Sequence, residues 1–266
     1  MEENKKQPQK PRLRELTQPA TQSRNNLTDY IRSKNDSYAG RPSAGKADGI
    51  YPHKSYFIFS NIAIFVQDPI SAEITLNTVL QTVENSLPKK FIEDTGVEMI
   101  LIGQFQELID REIQSIWKAE EGTIYVTNEQ DSEEDMIDDL IHEFAHATED
   151  KFGFDLYSDD QIEKEFLQKR RHMHDILSAH GYASSLSPYL ELAYNAEFDS
   201  FLHKEIGYEK LTFLTAGLFP SPYAATSLRE YFATGFEEYF LPNGVRGSLQ
   251  QMSPALYNKI TLLSEY

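Results

Sequence analysis

The stretch from residue 132 to about residue 151 constrains the fold most, because it specifies a helix and a chemistry at once. Ser132 can cap the first turn, and Glu133, Glu134 and Asp135 follow where the helix dipole favours negative charge. Met136, Ile137, Leu140, Ile141, Phe144 and Thr148 recur at helical spacing and form one stripe that must be buried. On a different side, His142 and His146 stand four residues apart in the pattern H-E-x-x-H, with Glu143 between them. Two imidazoles one turn apart can reach a single tetrahedral zinc ion, and the carboxylate beside them can touch its bound water. The fold must therefore bury the stripe and leave the histidine side free to meet a third ligand.

That third ligand is limited by composition. The chain has no cysteine, so thiolate ligands and disulfides are both excluded, and only His, Asp or Glu can complete a metal site. The extended metzincin pattern is absent, since position 152 is Phe and no third His stands at the required offset. His172, His174, His180 and His203 lie downstream; the pair His172 and His174 sits in a run of Lys and Arg that reads as a solvated helix face. The downstream carboxylates are Glu191, Glu197, Glu230, Glu237 and Glu238, and helical geometry alone does not choose among them. Glu230 and Glu237 share a helix face, while Ser227-x-x-Glu230 also fits a capping box. The acidic cluster at 131–139 lacks the glycine and closing Glu of an EF-hand loop, so the helix start explains it without calcium.

The surrounding pattern is α+β. A β-rich apolar run at 55–66 predicts a strand, 71–87 a helix, 97–102 a second strand, and a helical pattern continues through Ile109 and Ile113. Gly122 introduces a short strand at 123–127, the candidate sheet edge for presenting an extended peptide. Beyond Phe154 the chain reads as helical: 161–180, 188–206, 208 to about 216, 227–240 and 254–264. The expected domain spans 54–266, a small mixed sheet with the metal-binding helix behind it and a helical C-terminal lobe. Residues 1–53 are rich in Gln, Pro, Lys, Arg, Asn and Ser, and read as a disordered basic arm.

The formal charge of −17 is unevenly spread. Residues 1–50 carry ten basic and six acidic side chains, leaving the remainder strongly acidic. Such a body stays soluble, repels nucleic acid and anionic lipid, and steers basic peptides toward itself. The opening MEENKKQPQKPR has no apolar segment of the kind a secretory signal needs, and the apolar run at 56–66 is too short to span a bilayer. The expectation is a protein without a membrane span, cytoplasmic or exported by a non-classical or particle-borne route.

Two stretches resemble the anthrax lethal factor-like metallopeptidases, a family that includes the clostridial Pro-Pro endopeptidases. One is HEFAHATEDKFG at 142–153, with its acidic residue Asp150 and terminal Gly153. The other is YAATSLREYFA at 223–233, a Tyr followed seven residues on by Glu and then aromatic-Phe-Ala. The resemblance implies a toxin-like, zincin-like protease fold in which one Zn2+ is held by His142, His146 and Glu230. Glu143 would be the general base and Tyr223 the oxyanion stabiliser, and the substrate a protein or peptide. The chain departs from the family in a longer connection between the two stretches, and in Thr234, where relatives often carry a second Glu. The competing expectation is a non-catalytic zincin-like module of a toxin or virus particle, tethered by the basic arm.

Overall fold

The apolar segments of the first half assemble into one five-stranded sheet. In the computed structural model, which describes residues 56–182 and 184–265, its order is β1-β2-β3-β5-β4. The strands are β1 (Tyr56–Ile58), β2 (Ile62–Val66), β3 (Met99–Gly103), β4 (Ser115–Lys118) and β5 (Thr123–Thr127). The centre of the sheet, β2, β3 and β5, is parallel, and the two outer strands run antiparallel to it. Every residue of β3 (MILIG) is buried, as a central parallel strand covered on both faces requires. The first half also contributes three helices: α1 (Leu76–Ser86), α2 (Lys89–Glu93) and α3 (Gln106–Arg111). The expected α+β class, with a mixed sheet, is present.

Two features of this half differ from the sequence pattern. The run at 55–66 is a hairpin rather than one strand, because Phe59 (φ 50°) and Ser60 (φ 71°) turn the chain through the left-handed region. That conformation is costly for non-glycine residues. It is held by complete burial of the Phe59 ring, edge-on to Phe144, and by the Phe59 N–H donating to Glu84 Oε1 at 2.8 Å. The short strand β4 replaces the helical continuation expected through Ile113. Glu112 ends α3 in the left-handed region, and the Ala119–Gly122 turn folds β4 back onto β5. As a result β5 is interior and β4 is the sheet edge.

Behind the sheet runs α4 (Glu133–Tyr157), capped by Ser132, whose side chain accepts from the Asp135 amide. Met136, Leu140, Ile141, Phe144, Ala145 and Ala147 on it are fully buried. The helix does not stop near Lys151; it kinks at Phe152 (φ −107°, ψ 16°) and continues. The second half is helical: α5 (Gln161–Ala179), α6 (Ala196–Ser200), α7 (Tyr208–Leu214), α8 (Leu228–Phe240), α9 (Arg246–Met252) and α10 (Pro254–Ser264). The continuous helix expected at 188–206 is broken. A 3-10 turn at Ser187–Leu190 leads to extended backbone, then to α6, whose N-cap Asn195 accepts from the Glu197 and Phe198 amides, and a π-helical turn at Phe201–Ile206. Tertiary bonds cause the break: Leu192 O accepts from the Leu228 amide at 2.8 Å, and Pro188 O accepts from Arg170. Among the described residues no helix is long and apolar enough to cross a membrane. The expected arm at 1–53 lies outside the described residues.

Candidate metal centre

The site forms where α4 packs against α8. His142 and His146 project from one face of α4, their rings 4.6 Å apart and edge to face. Glu230 comes from the first turn of α8, whose N-cap Ser227 accepts from the Glu230 amide at 3.1 Å. The Ser half of the capping box is therefore real, but the Glu230 carboxylate turns to the histidines. Its Oε2 lies 3.2 Å from His142 Nε2, and its Oε1 lies 3.7 Å from His146 Nε2. One ligand atom from each of the three residues falls within 4.8 Å of the others, the only such group of three or more His, Asp or Glu among the described residues. Zinc bonds of about 2.0–2.2 Å would bring tetrahedral donors to about 3.3–3.6 Å, so a contraction of roughly an ångström closes this group on an ion.

The buried polar atoms of the site also bear on whether it could hold a cation. Glu230 Oε2, His146 Nδ1 and Glu149 Oε2 are all buried with no hydrogen-bond partner. Of these only Glu230 Oε2 faces the group of three; His146 Nδ1 and Glu149 Oε2 face each other, and two imidazoles with a carboxylate are a donor set that suits a divalent ion in the absence of thiolates. Burial lowers the affinity of His142 for a proton, but the Glu230 and Glu237 carboxylates outweigh it and hold this imidazole well above its ordinary value. For His146, burial comes first and His142 and Arg229 act in the same direction, leaving it well below that value.

Around this group lies an ordered shell. Glu237, two turns on from Glu230 along the same face of α8, bonds His142 Nδ1 and fixes the ring with Nε2 toward Glu230. Thr234, on the same helix, is buried, and it is Glu237 that bonds His142. Asp150 accepts from Trp117 Nε1 at 2.8 Å and from Arg229 at 2.8 Å, joining β4, α4 and α8 behind the histidines. Arg229 also lies 3.4 Å from Glu149 Oε2, which faces His146 Nδ1 at 4.0 Å.

Glu143 is 3% exposed. Its two oxygens accept from Ser115 Oγ (2.7 Å) and from the Trp117 amide (2.5 Å), both on β4. Burial pushes its carboxyl up to about 7, against the opposing pull of His142 and the Ser115 and Trp117 bonds. The edge strand that sequence reasoning missed is thus the element that holds Glu143. Only the Gly122 turn signal and the aromatic β-former Trp117 hinted at it.

Tyr223 sits in a 3-10 turn, Tyr223–Ala225, just before α8, with its side chain partly exposed. Burial raises its hydroxyl, and so do Glu230, Tyr194, Asp199 and Glu143, so it stays protonated well past neutrality. The other candidates lie elsewhere. Glu191 accepts from Asn195, Glu197 is exposed on α6, and Glu238 accepts from the Val245 amide. His172 is exposed, His174 bonds Ser184 O, His180 bonds Ile176 O, and His203 packs on Tyr208. No protein-family model, curated protein or solved structure matches the chain.

Proposed function

We propose that this chain is a zincin-like, zinc-dependent endopeptidase, akin to the lethal factor-like family that its two motifs resemble. The observation that carries the reading is the convergence of His142, His146 and Glu230 from two helices, with one ligand atom of each within 4.8 Å of the others. A zinc ion held by these residues would lower the pKa of bound water from about 15.7 toward 7 and polarise the peptide carbonyl. Glu143 would take the proton from that water and later pass it to the leaving amine, oriented for both by Ser115 and the Trp117 amide. The Tyr223 hydroxyl, protonated at every working pH, would donate to the oxygen on which charge develops. The edge strand β4 would receive the substrate as an added strand, in place of the interior β5, at backbone groups other than the Trp117 amide that Glu143 holds.

The test has two parts. Metal analysis of the dialysed protein is expected to find one zinc per chain, and the same analysis of Glu230→Ala to find it lost. If Glu230 only caps α8, zinc content stays unchanged and stability falls by about 1 kcal/mol. The zinc-loaded protein is then offered a peptide library. Cleavage at internal bonds supports the reading; stoichiometric zinc without cleavage of any peptide rejects it in favour of a binding module.

A further inference from the structure

Tyr223 lies in a short 3-10 turn that is tied to the rest of the fold at both of its ends. Residues 219–222 read Phe-Pro-Ser-Pro, and neither Pro220 nor Pro222 has an amide proton to offer a backbone ladder. Such a stretch presents mainly acceptors, and its buried carbonyls need donors from outside. Within it Pro222 O accepts from the Ala225 amide, and the carbonyls that flank it, of Leu218, Ala225 and Thr226, meet two consecutive buried cations on α5. Lys169 Nζ donates to Leu218 O at 2.7 Å, and also to Met252 O and Ser253 Oγ at 2.8 Å. Arg170, 0% exposed, donates from Nη1 to Ala225 O at 2.6 Å and Thr226 O at 3.1 Å, and from Nη2 to Pro188 O. Thr226 in turn donates to the Tyr223 carbonyl from both its amide (2.9 Å) and its hydroxyl (2.8 Å). Two links therefore connect the guanidinium to the Tyr223 backbone. The guanidinium itself is fixed over the Phe198 ring, 4.2 Å from its centroid.

We propose that Lys169 and Arg170 are positioning residues, gripping the two ends of segment 218–226 and so fixing Tyr223 at the start of the helix that carries Glu230. The inference rests on the assignment of Tyr223 as the oxyanion donor. A planar guanidinium serves three carbonyls at fixed angles where an ammonium on the same stem could not, so Arg170→Lys is the informative change. A misplacement of about 1 Å in a catalytic group can cost on the order of a hundred-fold in rate.

A double-mutant cycle on the zinc-loaded protein tests it. Arg170→Lys is expected to lower kcat by about ten- to a hundred-fold, with KM and zinc content unchanged. In the Tyr223→Phe background the same change is expected to lower kcat no further. Equal falls in both backgrounds, or loss of zinc, would overturn the proposal, since either would show Arg170 acting on the whole fold or on Glu230. Lys169→Met provides a second arm should Arg170→Lys not fold, with the same criteria. Hydrogen exchange tests the clamp without any need for activity. Faster exchange confined to 218–226 in either variant supports the clamp, whereas unchanged or uniformly faster exchange refutes it. If the wild-type protein binds zinc and cleaves nothing, the endopeptidase reading falls, while the exchange result still decides whether the segment is clamped.

Discussion

Two buried polar clusters lie on successive helices, α4 and α5, and they are balanced in opposite ways. At Lys169 and Arg170, every donor but Arg170 Nε meets an acceptor. Glu165 supplies the nearby countercharge. At His142 and His146, acidic groups crowd in from Glu143, Glu149, Glu230 and Glu237, and three buried atoms make charge contacts but no hydrogen bond. Leaving a buried acceptor unsatisfied costs about 1–3 kcal/mol, and under the proposed function a metal ion would remove that cost at Glu230. Under the proposed function the closed cluster is framework and the open one is the metal site. Substitutions should separate the two: changes at the open cluster should affect chemistry and metal, changes at the closed one geometry and stability.

The largest effect is expected at Glu143, which belongs to the open cluster yet is not a ligand. Glu143→Ala should lower turnover by about 10²–10⁴-fold while zinc content and thermal stability stay near wild type. Assay of the zinc-replete variant on the best library peptide checks this. Turnover within a few-fold of wild type would move the general base elsewhere.

A smaller effect is expected one bond further from the metal. Glu237 holds His142 Nδ1, and removing a carboxylate in that position ordinarily weakens a metal by about 10–100-fold. Glu237→Ala should therefore lose zinc to a competing chelator at concentrations the wild type resists, yet regain activity when zinc is in excess. Glu238→Ala, at the next position of the helix with its carboxylate on the Val245 amide, serves as the control expected to leave zinc affinity alone. Equal losses in both would mean that α8 is merely loosened.

The contrast also explains what could be read from the chain. The α4 helix was legible because its cap, stripe and histidine pair are all local: Ser132, the Met136 to Thr148 stripe and H-E-x-x-H lie within seventeen residues. The place of Glu230 beside the histidines was singled out only through the resemblance, because helix periodicity gives Glu237 and Glu238 equal standing. The role of Glu237 follows from the packing of α8 on α4, which no local pattern encodes. The break at 191–195 was illegible for the same reason. Its residues favour a helix, but the Leu228 amide and the Arg170 guanidinium claim the carbonyls of Leu192 and Pro188. Strand β4 is four residues long and its role depends on Glu143 reaching it from another element.

The smallest effect probes the closed cluster through its charge. Burial pulls the Lys169 ammonium from its ordinary 10.5 down to about 8, with Glu165 opposing. Below pH 8 the lysine is protonated in both folded and unfolded chains, and the folded state bears the full cost of burying the charge. Between pH 8 and 10.5 the folded lysine is neutral while the unfolded one still holds its proton. The unfolded state then binds more protons, and stability rises with pH. Over one unit above pH 8 the gain is about 1 kcal/mol, or some 2–4 °C in Tm for a chain of this size. The buried tyrosines keep their protons longer than in the unfolded chain and so act in the opposite sense above pH 10, but they are common to wild type and variant. The informative quantity is therefore the difference: the Tm of the wild type should gain on that of Lys169→Met between pH 7 and 9. A constant gap across that range would mean that Lys169 meets no desolvation cost, and the closed cluster would then be balanced by charge, with Glu165, as well as by hydrogen bonds.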